Sequence, residues 1–320
     1  MLPGLENYVD EEGLKYALLV LGPQYPHRCT SFDYPARYAV DIRGDAEKSL
    51  LFVVLRGRDR VDDISWRVYV NEVKVSRVFK PQHLLPLREG AYYVYVADTS
   101  PITRGIKTAE VVIKCHAPAT QIESTGVVLL LPEEFKSRVG VHIGISRIEN
   151  TYELQVPTQG FTVISMAGRG EGGAIAVGGS LRRFSVPFEH SEILTSGSVS
   201  IRGPLNFYTV VTNSYTGKPP EVVLSTYALD AGKVKLAVSN SGDYCIKNVE
   251  VKLLRGTQTI SKLTIKSIKP REESTVVLDR EPGAVVAKVT YEFLGHFFTK
   301  TIPIEPTEKP PALHDSGFPK

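Results

Sequence analysis

SLLFVVLRGRDRVDDISWRVYVNEVKVSRVF (residues 49–79) and, after a proline-containing break, AYYVYVADTSPITRGIKTAEVVIK (residues 91–114) are the stretches on which the fold turns. Their side chains alternate in and out at a period of two, the mark of a half-buried antiparallel sheet. Strands are expected over 50–55, 65–70, 73–79, 91–96, 108–114 and 127–131. Asn71-Glu72 reads as a tight hairpin turn, because Asn tolerates the positive φ such turns require. Trp66 falls in phase with Val68 and Val70, while Tyr93 and Tyr95 share one strand face and Tyr92 lies on the other with Val94.

Working outward, residues 1–48 suggest a helical turn at 5–8 and strands over 16–21 and 37–42. Between those strands lies Gly22-Pro23-Gln24-Tyr25-Pro26, whose prolines cannot donate to a ladder. From 133 to 220 strands are expected over 139–145, 151–156, 161–166, 174–177, 181–186, 198–201 and 206–211, separated by glycine-rich turns. Lys218-Pro219-Pro220 reads as a linker, since paired prolines stiffen the chain and end a sheet. Strands resume over 234–239, 248–254, 261–265, 274–278, 285–293 and 297–304, with turns at 240–243 and 269–273. The fold class is all-β: tandem β-sandwiches with an N-terminal sandwich over 1–132, a second sandwich or second half of the first over 133–220, a module over 221–304 and a flexible tail over 305–320.

The pattern VKLAVSNSGDYCIKNVEVKLL…LTIKSIKPREESTVVL in the last quarter of the chain resembles the immunoglobulin-like, CARDB-type adhesion modules of archaeal and bacterial surface proteins. There an Asn-x-Gly turn follows the first core strand and a Pro-led turn precedes a Thr/Val strand. WRVYVNEVKV with YYVYVADTSPITRGIKTAEVVI resembles the jelly-roll modules of prokaryotic cell-surface and carbohydrate-binding proteins. Both resemblances imply sandwiches that bind ligands or neighbouring subunits, and they mark fold more than function.

Composition bounds the rest. With 42% hydrophobic and 23% charged residues among 320, the chain has ample core material, and no apolar run approaches the roughly 20 residues of a membrane helix. Net charge is +3, from 38 basic and 35 acidic residues interleaved, so no nucleic-acid footprint stands out. Cys29, Cys115 and Cys245 show no metal-ligand or disulfide-framework spacing, and read as buried free thiols or, alternatively, as one long-range disulfide plus a thiol. The N-terminus lacks the basic flank and cleavage site of a leader, which leaves an intracellular protein or one whose leader or anchor was removed. Abundant Val, scarce Gln and many charges of both signs lean toward a thermophile.

Candidate chemistry is sparse. Gly168-Arg169-Gly170-Glu171-Gly172-Gly173 has a GxGxxG spacing, but no helix follows to hold a pyrophosphate, so it reads as a mobile hairpin loop. Asp59, Asp62 and Asp63 could place hard oxygens around calcium, although Arg58 and Arg60 interrupt them and a solvated loop with local ion pairs is the other reading. The histidines have no HxxxH or HxH spacing, no GxSxG elbow is present, and the adjacent acids Glu133-Glu134 and Glu272-Glu273 point to opposite faces of an extended strand. Trp66, Tyr69, Tyr92, Tyr93 and Tyr95 crowd one region, and with Arg169 at the tip of the glycine loop they form the candidate ligand or partner surface. The alternative is that they fill the space between sheets.

These readings point to a non-enzymatic adhesion, envelope or appendage component that binds protein or glycan, with self-association open to it. An intracellular or viral assembly protein is the alternative, and a glycan-active enzyme with accessory modules a third.

Overall fold

The computed structural model describes residues 1–303 apart from 43–45, 60–63, 77–79, 157–159, 178–179, 186, 196, 230–232 and 280–285. The segment expected to hold a helical turn at 5–8 is instead the first strand, β1 (Leu5–Glu12). Leu5 and Val9 are its buried positions, and its edge is paired along β12, so sheet hydrogen bonds outweigh a weak helical preference. Gly13, at φ +75, reverses the chain into β2 (Leu14–Gly22). There follow β3 (His27–Arg28), β4 (Ala36–Asp41), β5 (Lys48–Gly57), β6 (Ser65–Val70) and β7 (Val73–Lys74). Asn71 and Glu72 between β6 and β7 take φ 45 and 67, the conformation expected of that hairpin turn. The expected strand over 73–79 is described only as β7, and 77–79 lie outside the described residues.

Next come β8 (His83–Leu87), β9 (Gly90–Asp98), the single helical turn α1 (Ser100–Thr103), β10 (Thr108–His116) and β11 (Thr120–Pro132). β8 occupies the stretch that its proline made look like a break. It is an edge strand, where Pro86 is tolerated because a missing N–H harms no central ladder. The chain continues through β12 (Ser137–Ile148), β13 (Thr151–Gln155), β14 (Phe161–Gly170), β15 (Ala174–Val177), β16 (Ser180–Arg183), β17 (Pro187–Leu194), β18 (Ser198–Arg202) and β19 (Leu205–Tyr215). The last strands are β20 (Val222–Leu229), β21 (Lys233–Asn240), β22 (Ile246–Arg255), β23 (Gln258–Ile268), β24 (Glu273–Asp279), β25 (Val286–Phe293) and β26 (His296–Pro303). Among the described residues 71% are strand and 1% helix, an all-β fold.

The chain divides into two compact units, the first spanning Met1–Gly217 and the second beginning at Lys218. In the first unit, sheet I has the order β1-β12-β19-β14-β17 and sheet II the order β2-β11-β5-β9-β8, with β3 also on β11. Sheet III is β4-β10-β6-β7 and sheet IV is β13-β18-β15-β16. Leu51, Val53 and Leu55 of sheet II meet Val40, Val68, Val70 and Ile113 of sheet III in one core. Ile164, Met166 and Phe207 of sheet I meet Leu154, Ile175 and Ile201 of sheet IV in another.

The remaining faces of sheets I and II are also buried. Phe52, Val54, Val128 and Leu130 on one, and Val139, Val141 and Val211 on the other, are all inaccessible. Tyr16 of β2 donates to Ser165 Oγ of β14 at 2.8 Å, and the rings of Tyr92 and Tyr208 lie 6.3 Å apart, so these faces pack together. The layers run III, II, I, IV, and β1 belongs to sheet I rather than to the N-terminal sandwich.

In the second unit, β20-β21-β24 and β23-β22-β25-β26 form two antiparallel sheets, an immunoglobulin-like sandwich arrangement whose inward Val234, Leu236, Val251, Leu253 and Val289 are buried. Asn240 fixes the expected turn from inside: its amide donates to Tyr244 O at 2.8 Å and Ile268 O at 3.3 Å, and its Oδ1 accepts from Gly242 N–H at 3.2 Å. Lys218-Pro219-Pro220, expected as a linker, is docked on this turn. Lys218 N–H donates to Asp243 Oδ2 at 2.9 Å, and a Cβ on Gly242 would stand 2.1 Å from Pro219 O, so only glycine allows the approach. The expected tail over 305–320 lies outside the described residues.

Candidate functional site

The aromatic cluster singled out in the sequence is, for the most part, interior. Trp66, Tyr93 and Tyr95 are each 4% exposed, and Tyr92 is 0% exposed. The physical reason is that sheet II is covered on both sides along this stretch, so neither face of β9 reaches water between Ala91 and Tyr95. Tyr93 and Tyr95 enter the core with sheet III, where Trp66 lies against Tyr95 with ring centroids 3.7 Å apart, and Tyr92 enters the interface with sheet I. Tyr93 donates its hydroxyl to Asp59 O at 2.7 Å. Only Tyr69 keeps the surface position expected of it, half-buried on the outward face of sheet III.

Arg169 is likewise no loop tip. Gly168, Arg169 and Gly170 end β14, where Cβ atoms on the two glycines would stand 2.0 Å from Asn206 O and 2.1 Å from Phe184 O. These glycines serve close backbone packing, not ligand access. Arg169 Nη1 stands 2.9 Å from Glu123 Oε1, although neither atom makes a well-angled hydrogen bond, and Gln121 Nε2 donates to Glu123 Oε2 at 3.2 Å. Glu123 sits at a bulge in β11 and Tyr208 at a bulge in β19, and bulges re-aim side chains. The result is a buried cluster of Glu123, Arg169, Tyr92 and Tyr208 between sheets I and II. Burial first, and then the Glu123 charge, raise the phenols of both Tyr92 and Tyr208, and neither hydroxyl has a hydrogen-bond partner among the described residues. Arg56 lies over the Tyr92 ring at 5.5 Å. No single residue of the cluster carried a sequence signal beyond a charge inside an apolar strand.

For calcium, Asp59 is committed elsewhere: its Oδ2 accepts from Ala119 N–H at 2.9 Å and Thr120 Oγ1 at 2.7 Å. Asp62 and Asp63 lie outside the described residues, and among the described residues no group of three His, Cys, Asp or Glu is placed to hold a metal.

What the sequence analysis missed is the outer face of sheet III and the segment beside it. Cross-strand register places Tyr69 opposite Val112 and Lys74, and Arg67 opposite Lys114. Lys114 Nζ lies 5.8 Å from the Tyr69 ring and Arg67 Cζ 5.3 Å from the Phe32 ring, both within cation–π range. Neither cation has a carboxylate partner among the described residues, whereas neighbouring Arg37 is bonded to Glu110 at 3.0 Å. Phe32 belongs to the segment between β3 and β4, where Tyr34 is 71% exposed and Tyr25, just before β3, is 77% exposed. That segment is anchored by a Cys29–Cys115 disulfide with Cα atoms 4.9 Å apart, and by the His116 ring bonded to Thr30 O at 2.9 Å. Of the two readings of the three cysteines, all free thiols gives way to its alternative, one long-range disulfide, and Cys245 is free. The signal was present in GPQYPHRCTSFDYP, where prolines rule out a long strand and three aromatics have no periodic face to bury them.

Fold and site together define a two-unit β-sandwich protein whose sheet III carries a cationic–aromatic outer face. No known protein family matches the chain, and no curated protein matches it. Among solved structures it aligns with the class 5 fimbriae chaperone CfaA at 7% identity over 91% of this chain and 100% of that one, TM-score 0.23. It aligns with the β-D-glucuronidase of Dictyoglomus thermophilum at 12% identity over 95% of this chain and 45% of that one, TM-score 0.20. A third is the β-galacturonidase of Eisenbergiella tayi bound to galacturonate, at 11% identity over 55% and 39%, TM-score 0.18. The chain spans less than half the length of either glycosidase. At such TM-scores none of these likenesses bears on what this chain does.

Proposed function

We propose that the protein is a non-enzymatic binding component of the cell envelope that holds an acidic protein segment against the outer face of sheet III, with its C-terminal unit as a CARDB-type adhesion module. The observation that carries this reading is the pair Arg67 and Lys114 on the outer face of sheet III, each within reach of an aromatic ring and each without a carboxylate partner among the described residues. A cation over an aromatic face is held in place before a partner arrives, so little side-chain entropy remains to be lost on docking. An open sheet face suits a protein segment better than a small molecule, whose sites are concave. The disulfide supports an oxidising compartment, where such bonds persist.

The test uses poly-L-glutamate as the acidic chain, with neutral and anionic glycan arrays in parallel. Retention on poly-L-glutamate should fall with added salt and be lost in the Arg67→Glu/Lys114→Glu protein while its melting temperature holds. Retention that survives the double charge reversal, or a strong glycan signal in its place, overturns the acidic-protein reading. Turnover of any glycan in the panel overturns the non-enzymatic one.

A further inference from the structure

Sheets I and II part where β5, β8 and β12 end, and the opening is unlike the apolar interface behind it. A cleft of about 750 Å³ lies there, lined by Leu85, Pro86 and Leu87 of β8 and by Arg56, Arg88 and Arg147. Glu89 and Glu149 complete its lining. The volume is that of a small-molecule site, and a few convergent charges beside an apolar wall are what orient a ligand in such sites.

The charges lining it do not balance. Both carboxylates are taken: Glu149 accepts from Arg147 Nε at 3.0 Å, and Glu89 is bonded to Arg58. Deeper between the sheets, Glu123 stands 2.9 Å from Arg169. Arg56 and Arg88 are left with no carboxylate partner among the described residues. Arg56 is half-buried, and a guanidinium drawn partly out of water without a counter-charge is costly. The Tyr92 ring, on the neighbouring strand and 5.5 Å away, steadies the cation but offers no oxygen to its N–H donors. A carboxylate or phosphate accepts from a guanidinium through two oxygens at once, which no neutral group matches. Two unpaired arginines in one cleft call for two negative charges, and the β8 side chains give the rest of a molecule an apolar surface to lie on. We propose that this cleft binds a small organic dianion, a phosphate monoester or a dicarboxylate with a short apolar body, through Arg56 and Arg88. It lies on the far side of sheet II from the outer face of sheet III, so it is independent of acidic-protein docking there.

The full chain is titrated calorimetrically at low ionic strength and about pH 8, where a phosphate monoester carries both charges. The ligands are phenyl phosphate and isophthalate, the two dianions, with inorganic phosphate and benzyl alcohol as the charge and the body alone. At least one dianion should bind saturably at one equivalent and more weakly as salt is added, and which of them binds tells phosphate from dicarboxylate. Inorganic phosphate should bind more weakly than phenyl phosphate, and benzyl alcohol should give no heat. Arg88 is exposed, so Arg88→Gln should weaken binding about 10-fold with an unchanged melting temperature. Arg56→Met keeps the side-chain stem beside Tyr92 and should weaken it by a similar factor. The Arg67→Glu/Lys114→Glu protein should bind the dianion as before, which separates this cleft from the sheet III face. Absence of saturable binding by both dianions overturns the proposal. So does undiminished binding by folded Arg88→Gln and Arg56→Met, or an equal loss in the sheet III variant. Equal affinity for inorganic phosphate and phenyl phosphate overturns the role given to the β8 side chains.

Discussion

β6 and β9 are neighbours in the same sandwich, both rich in aromatic residues, and they meet opposite environments. β6 runs exposed, buried, exposed, buried, half-buried, buried from Ser65 to Val70, while β9 is buried without interruption from Ala91 to Tyr95. Sheet III has water on its outer side, so β6 can send Trp66 inward and Tyr69 outward. Sheet II has sheet III on one side and sheet I on the other, so Tyr92 and Tyr93 are buried in different interfaces. Aromatic density therefore says little about binding until the number of covered faces is known, and a tyrosine on a doubly covered strand is core on either face.

The widest gap should appear on truncation. Tyr92→Ala should cost about 3 to 5 kcal/mol, as for other large buried side chains, and Tyr69→Ala no more than about 1 kcal/mol. Urea denaturation of the two variants measures the difference directly. Comparable losses would mean that the outer face of sheet III is covered and that the contrast fails.

The second effect concerns what fastens the open side. Cys29 joins the exposed aromatic segment to β10 through Cys115, closing a loop of sequence separation 86. Reduction, or the Cys29→Ala/Cys115→Ala pair, should lower stability by about 2 to 4 kcal/mol. Limited proteolysis of that protein should cut first near Tyr25 or Tyr34. If the native protein carries three titratable thiols, the bond is absent and the segment is held by packing alone.

The C-terminal unit extends the comparison, because its strands also have one open face, as the strict alternation of β25 shows. A polar ring survives in the buried phase there by staying neutral: burial pushes the His296 imidazole down to about 4. Unfolded, it titrates near 6.5, so the unfolded chain binds the proton first as pH falls. Stability is then complete above about 6.5 and is lost progressively toward pH 4, by up to about 3 kcal/mol. An NMR titration of the His296 ring protons with a midpoint near 6.5 would show the ring to be solvated and remove that pH dependence.

Much of this was legible in the chain. The all-β class, the Asn71-Glu72 hairpin and the strands and turns after Val234 follow from period-two patterning and turn residues. The covering of sheet II was also written in LLFVVL and VVLLL, runs without polar alternation that mark strands buried on both faces, but the alternating stretches beside them dominated the reading. The joining of β1 to β12, the disulfide and the Glu123–Arg169 pair depend on contacts more than eighty or only some forty residues apart, and no local pattern encodes which partner is met.

The smallest effect asks whether the polar groups in the doubly covered layer have a purpose. Tyr92 and Tyr208 lie 6.3 Å apart across sheets I and II, each hydroxyl buried and unpaired among the described residues. Phenylalanine keeps the ring and its packing and removes only the hydroxyl, so the native state sheds an unsatisfied polar group. Tyr92→Phe and Tyr208→Phe should therefore leave stability unchanged or raise it by up to about 1 kcal/mol. The double variant should be the sum of the two, since neither hydroxyl is bonded to the other. The measurement is the urea midpoint at constant m. A loss of about 1 to 3 kcal/mol in either single variant would mean that the hydroxyl has a partner after all, an ordered water between the bulges at Glu123 and Tyr208 being the simplest. In that case the layer between the sheets is a built polar site like the open face, and coverage alone does not separate core from function.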